Sequence, residues 1–320
     1  MVRFPEIADL LVDADARAFA SDVVASLSQS PKTLPCKYFY DGRGSALFEK
    51  ITELPEYYPT RTEAKILREN AAAIVADLAP GSVLVEYGSG SSLKTELLLR
   101  AGDFAAYAPI DISPDALDGA RLRLQRTFPD LRVVPVVADF TSDITLPAAL
   151  DGLPRTGFFP GSTIGNFDPF NARALLRRMA RQLGRGARLV IGVDLRKSAS
   201  ILEPAYDDAQ GVTAAFNLNL LARMKRELGA RLDLDGFEHR AVYDSALGRV
   251  EMHLVSRRAQ TISVAGRAFA FTAGETIHTE NSYKYAHADF DALAHGAGWR
   301  PLETFVDPAN LFSVRVLEAI

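Results

Sequence analysis

Three acidic residues close three successive apolar runs, and each stands where a ligand could be held. The run Ser82-Val83-Leu84-Val85 is closed by Glu86 and continues as Tyr87-Gly88-Ser89-Gly90-Ser91-Ser92-Leu93-Lys94-Thr95. Glycine has no Cβ and tolerates positive φ, so a large ligand can approach the main chain there, and a helix starting at Thr95 would aim its N-terminus at it. Asp111 closes the next run, where a carboxylate can accept two strong hydrogen bonds from a ribose diol. Asp139-Phe140 closes the third, pairing an acid for an adenine amino group with an aromatic to cover the ring. Lys94, at the first helical turn, could reach a ligand carboxylate or be a solvated surface lysine. Each feature alone has a plain structural reading: glycine turns are common, and Asp111 lies two residues before a helix start that it could cap. Three acid-bearing strand ends in sequence favour a nucleoside ligand. The order Glu86-x-Gly88-x-Gly90-x-Ser92 departs from the GxGxxG spacing of dinucleotide sites.

The elements that must position these groups alternate. Strands are predicted at Ser82–Tyr87, Ala105–Ile112, Arg132–Asp139, Gly157–Thr163 and Arg188–Asp194. Between them Ser113-Pro114 starts a helix carrying Leu117, Ala120, Leu124 and Phe128, and residues 171–183 form another. Thr60 and Glu63 have capping-box spacing ahead of a helix that buries Ile66, Leu67, Ile74, Val75 and Leu78. Repeated βαβ units predict a parallel sheet covered on both faces, with ligands at the carboxyl ends of its strands.

After Asp194 the rhythm changes. Residues 199–228 read as mostly helical and 239–283 as β-like, with a hairpin at Ala265-Gly266. A helix from Asp289 stops at Gly298, and strands at Trp299–Val306 and Leu311–Leu317 return to the first sheet. Residues 61–196 with 286–320 are therefore expected to form one domain, and residues 1–60 with the insertion 197–285 a second, α+β one.

The 320 residues are 48% hydrophobic with a net charge of −4, which supplies a core and disfavours nucleic acid as a partner. No apolar run spans a bilayer, and an N-terminus carrying Arg3, Glu6, Asp9, Asp13, Asp15 and Arg17 does not resemble a secretory signal. Cys36 is the only cysteine, so no internal disulfide forms, and a reducing cytoplasm is expected. The five histidines show no close-spaced ligand pattern, and no metal is expected; Asp207-Asp208 reads as a cap or a solvated pair. Nothing demands more than a monomer.

The glycine turn resembles the first motif of class I methyltransferases, with Ser92 where a third glycine is common. Four longer stretches resemble a narrower family: Pro35-x-Lys37-x-Phe39-Tyr40-Asp41, Leu54 through Glu63, Gly161-Ser162-Thr163-Ile164-Gly165-Asn166, and Tyr206-Asp207-Asp208-x-x-Gly211 through Asn217. They are similar to the L-histidine Nα-methyltransferases of ergothioneine biosynthesis. The resemblance covers nearly the whole chain. It implies a class I (Rossmann-like) sheet with a second substrate-binding domain. It also implies S-adenosylmethionine as methyl donor, and L-histidine as acceptor, converted to the trimethyl betaine hercynine. By resemblance, Gly88, Lys94, Asp111, Asp139 and Phe140 match cofactor contacts. Tyr57, Gly161, Asn166 and Tyr206 line the amino acid, with Asn166 and Tyr206 on its carboxylate. Glu280 and Ser282 read the imidazole, and Tyr40 lies close to the reacting amine.

Residue chemistry is consistent with this. An imidazole offers a donor and an acceptor, and a carboxylate and hydroxyl two residues apart on a strand share a face. Faces of Phe39 and Tyr40 can tolerate a methylated ammonium. Met252 is either a soft wall of the ring pocket or core filling. A related amine as acceptor (tryptophan or a thiolated histidine), or a non-catalytic S-adenosylmethionine sensor, are the competing readings.

Overall fold

The structure, a computed structural model, describes residues 7–90 and 94–320, the side chains of 7–15 excepted. The Ser92 position of the glycine turn, Arg3 and Glu6, and the side chains of Asp9, Asp13 and Asp15, lie outside the described residues. The chain divides into two compact units. One contains 58–197, 247–249 and 282–320; the other contains the N-terminal segment through Tyr57, with 198–246 and 250–281. Ser282 thus falls in the first unit and Glu280 in the second.

The first unit is built on an eight-stranded sheet. Its strands are β1 (Ser82–Tyr87), β2 (Phe104–Asp111), β3 (Arg132–Val133), β4 (Val136–Val137), β5 (Arg155–Phe159), β6 (Arg188–Asp194), β7 (Trp299–Val306) and β8 (Phe312–Ala319). The order is β7-β8-β6-β5-β1-β2-β3, with β4 also pairing β2. Strands β1 to β6 pair in parallel, whereas β8 runs antiparallel to both β6 and β7. This is the class I methyltransferase sheet. The predicted third strand is two short pieces because Pro135 interrupts it: proline has no N–H to give to the ladder. The predicted fourth ends at Phe159, where Pro160-Gly161 turns the chain and Ser162 takes a left-handed φ of 56°.

Central strands are buried on both faces, as a doubly covered sheet requires. On one side Leu175, Leu176, Met179 and Phe290 pack from helices Pro169–Leu183 and His287–His295. On the other, Ile66, Leu67, Ile74, Leu98 and Leu124 pack from helices Tyr58–Ala76, Thr95–Ala101 and Pro114–Thr127. Ser113 caps the last of these, its Oγ accepting from Ala116 N at 3.2 Å. The capping box at Thr60 is not there. The helix already begins at Tyr58, and Glu63 is fully buried.

The second unit has a four-stranded sheet in the order Lys32–Thr33, Thr276–Tyr283, Arg249–Ser256, Phe237–Asp244. A separate ribbon pairs Gln260–Val264 with Arg267–Phe271. Its turn, Ala265-Gly266, has φ of 48° and 73°, the positive pair that a tight hairpin needs. Helices Ile7–Leu27, Gly42–Glu53, Ala199–Tyr206 and Val212–Leu228 also belong to it. Asp208 is a cap: its carboxylate accepts from Val212 N at 3.0 Å and Thr213 N at 2.7 Å. Met252 is buried, and its carbonyl accepts from Thr279 Oγ1 at 3.0 Å. Among the described residues no helix is long and apolar enough to cross a membrane.

Candidate active site

The glycine turn is shaped by main-chain hydrogen bonds. Gly88 and Gly90 have φ of 71° and 47°. Gly88 N donates to Ile110 O at 2.8 Å, and Gly90 N donates to Asp111 Oδ2 at 3.0 Å. Asp111 Oδ1 accepts from Ser113 N at 3.0 Å, so the carboxylate fixes both the turn and the entry to the next helix. Each oxygen keeps a second lone pair for a diol. A Cβ on Gly88 would come within 3.1 Å of the Phe140 ring. The turn and that ring therefore form a cradle that a side chain would fill. Phe140 is held edge-on by Phe159 at 5.6 Å and Phe167 at 6.4 Å. Asp139 spends Oδ1 on its own turn, accepting from Thr141 N and Oγ1 at 2.8 and 2.6 Å.

Glu86 does not face the turn as a ligand group. Its carboxylate is buried and accepts from Thr95 Oγ1 at 2.6 Å and from the Tyr107 hydroxyl. Burial raises it from an ordinary 4.5 to about 7, against those two hydrogen bonds and the charge of Lys94. Between these values the unfolded chain releases the proton first. Stability therefore falls as pH rises through that window and is level above it, by about 3 kcal/mol in full. Glu86→Gln is expected to flatten this slope. In urea unfolding at about pH 5 and about pH 8, the two free energies should lie closer together for the variant than for the natural sequence. An unchanged gap would refute the assignment.

Glu63 takes a position that the sequence did not suggest. Its carboxylate accepts from Gly161 N at 3.0 and 2.9 Å and forms an ion pair with Lys94. It lies so close over Gly192 that a Cβ there would collide with Oε1. A glycine inside an apolar strand signals such a close approach. The pair joins two predicted residues, Lys94 and Gly161, across the strand ends, and it occupies the ammonium that was expected to reach a ligand carboxylate. Asn166 ends the turn Thr163–Asn166, half-buried, with no side-chain hydrogen bond among the described residues. A Cβ on Gly165 would lie 2.7 Å from the Tyr283 carbonyl, so this loop runs directly against the chain next to Ser282.

Ser282 is buried, and its Oγ accepts from Lys284 Nζ at 2.6 Å. Lys284 in turn lies 2.8 Å from Asp194 Oδ2. Asp194 also binds Lys197 Nζ at 2.6 Å and the Tyr58 hydroxyl at 2.7 Å. Burial opposes ionisation of Asp194, but Lys284 and Lys197 outweigh it and hold the carboxyl below its usual range. Burial also lowers Lys197 to about 8. Asp194, Lys197, Lys284 and Tyr58 were given no such role from the sequence, because their chemistry arises only from being buried together.

In the second unit the predicted tyrosines share one aromatic cluster. Tyr40 meets Phe48 and Phe216 edge-on, each at 5.7 Å. Tyr57 meets Phe48 at 6.3 Å and Tyr206 at 6.1 Å. Burial raises the Tyr40 phenol well above its ordinary value, and the charge of Glu280 adds to the rise. Burial and Glu280 likewise push the Cys36 thiol up to about 12. Tyr40 is thus a neutral hydrogen-bonding group near neutral pH and Cys36 is no nucleophile. Glu280 exerts its charge on the same tyrosine that was expected near the amine. Phe48 and Phe216 were not singled out from the sequence, where an isolated phenylalanine reads as core.

The sheet order, the glycine cradle and the acid-bearing strand ends define a class I S-adenosylmethionine-dependent methyltransferase. The model of one family, described as histidine-specific methyltransferase, S-adenosylmethionine-dependent, matches residues 19–319, and the chain belongs to that family. A histidine N-alpha-methyltransferase of Mycolicibacterium smegmatis is 42% identical over 315 residues, covering 95% of this chain and 96% of its own length. One of Mycobacterium tuberculosis is 39% identical over 312 residues, covering 94% and 95%. Ergothioneine biosynthesis protein 1 of Schizosaccharomyces pombe is 30% identical over 275 residues, covering 81% of this chain and 35% of its own.

Proposed function

We propose that the protein is an L-histidine Nα-methyltransferase that makes the trimethyl betaine hercynine, a step of ergothioneine biosynthesis. The observation that carries this reading is the second unit's cluster, in which Tyr40, Tyr57 and Tyr206 are held by phenylalanines and Glu280 bears on Tyr40. S-adenosylmethionine supplies an electrophilic methyl: the amine nitrogen forms a bond to carbon, the bond to sulfur breaks, and S-adenosylhomocysteine leaves. Gly88 and Phe140 provide the cradle for the nucleoside, and Asp111 accepts from its diol. Asp139 keeps Oδ2 for the adenine amino group. Lys94, paired with Glu63, contributes to binding the donor's carboxylate by sharing its charge.

The amine must first lose a proton, and a free α-amino group titrates near about 8. A neutral Tyr40 cannot take that proton as a base. It orients the amine by hydrogen bonding, so most of the rate gain comes from selecting the neutral amine and aligning it. Glu280 accepts from one ring nitrogen. The Ser282 oxygen accepts from Lys284, and its hydroxyl serves the other ring nitrogen. Asn166 and Tyr206 bind the carboxylate, and Tyr57 and Gly161 line the amino acid. The unit containing Tyr40 and Glu280 acts as the substrate-binding domain.

Mass spectrometry of the protein incubated with S-adenosylmethionine and a panel of amino acids tests this. The expected result is successive addition of one, two and three methyl groups to histidine alone. Methylation of another amine in preference to histidine, or of none, would overturn it.

A further inference from the structure

The sheet of the second unit brings together three side chains that the sequence keeps apart. Glu251 and His253 are two residues apart on the strand Arg249–Ser256, so they share a face. His278 stands on the neighbouring strand Thr276–Tyr283. One ligand atom from each of the three lies within 4.8 Å of the others. His253 Nε2 is 2.9 Å from Glu251 Oε2, a hydrogen bond whose hydrogen a bound ion would replace, the two atoms opening to the roughly 3.3–3.6 Å of tetrahedral ligands with bonds of about 2.0–2.2 Å.

The two imidazoles also touch one another. The two rings stack, with centroids 4.8 Å apart and planes at 30°. His278 Nε2 is 3.0 Å from the Glu280 carbonyl. A carbonyl only accepts, so Nε2 bears the hydrogen and Nδ1 keeps its lone pair. This is how an outer partner orients a metal-bound histidine. His253 Nδ1 is buried and has no hydrogen-bond partner among the described residues. The exposed Arg240 acts on His253 from the next strand, but solvent screens an exposed charge.

We propose that Glu251, His253 and His278 form a site for a divalent transition-metal ion. Two imidazoles and one carboxylate match the preferences of Zn²⁺, Co²⁺ and Ni²⁺ rather than of Mg²⁺ or Ca²⁺, and leave a position for water. The site uses no predicted contact to the methyl donor or the amino acid, and it stands independently of the proposed function. The His278–Glu280 hydrogen bond links it to a substrate residue, and through that bond a bound ion would fix the main chain that carries Glu280.

The test is metal uptake by the full chain after removal of adventitious ions with a chelator. Equilibrium dialysis should find one Zn²⁺ per chain, and Co²⁺ should give visible d–d absorption. His278→Ala and the near-isosteric Glu251→Gln should each weaken binding by on the order of a hundredfold. His295→Ala, outside the cluster, should leave it unchanged. Zn²⁺ should also raise the thermal midpoint of the natural sequence and not that of Glu251→Gln, whose far-ultraviolet circular dichroism should stay native. No stoichiometric uptake, or uptake that survives both cluster substitutions, would overturn the proposal.

Discussion

Glu280→Ala is expected to raise the histidine concentration needed for half-maximal rate by roughly thirtyfold, the loss of about 2 kcal/mol that one charged hydrogen bond contributes. Affinity for S-adenosylmethionine should stay within about twofold, a change of about 0.4 kcal/mol, because no residue proposed to hold the donor is altered. The residues proposed to hold the donor, Gly88, Asp111, Asp139 and Phe140, belong to the other compact unit. The variant has a second signature. The charge of Glu280 helps keep the Tyr40 phenol and the Cys36 thiol protonated, so both pKa values should fall when it is removed. Steady-state kinetics with each substrate varied in turn, and thiol alkylation rates as a function of pH, report the two effects. Equal losses for both substrates would remove Glu280 from histidine recognition.

Asp194→Asn is expected to be the most damaging single substitution for folding. Its carboxylate lies between Lys284 and Lys197, whose side chains are 0% and 6% exposed. Asparagine keeps the shape and removes the charge, leaving two buried ammonium groups without a counter-charge. Breaking a buried pair in this way costs about 3–5 kcal/mol. Lys197 already titrates at about 8, so the variant can relieve the strain by releasing a proton. Without the carboxylate that raises it, Lys197 falls below about 8, so the deficit should be largest in mild acid, shrink as pH rises towards about 8 and level off above it. Adding Lys284→Met to Asp194→Asn should recover part of the loss, a coupling that a double-mutant cycle measures. A change below about 1 kcal/mol, the scale of an exposed pair, would mean that the network is not holding the sheet end together.

Much of the first unit was legible because its signals are local. Apolar runs marked β1, β2, β5 and β6, Ser113-Pro114 marked a helix start, and Gly88 and Gly90 marked a turn with positive φ. These depend on sterics and capping within a few residues, and a chain carries that information wherever it lies. The Ala265-Gly266 hairpin was legible for the same reason. Pro135 was the local signal that cut the third strand in two, and its missing N–H explains the cut.

Glu63 shows where such reading stops. Thr60 and Glu63 have the spacing of a capping box, yet the helix begins two residues earlier and the carboxylate turns inward to Gly161 and Lys94. The spacing is the same in either case. What decides is whether a main-chain N–H and a cation wait on the buried side, 98 and 31 residues away in the chain.

By itself the sequence determined the βαβ rhythm, the acid at each strand end and the glycine cradle, because dihedral preference and apolar periodicity are properties of short segments. Tertiary structure alone decided which charges would be buried together. Tyr58 meets Asp194 across 136 residues, Ser282 is set by Lys284, and His253 stacks on His278 through strand pairing. The strength of these contacts comes from exclusion of water and from neighbours brought by folding, and neither is written in the spacing of residues along a chain.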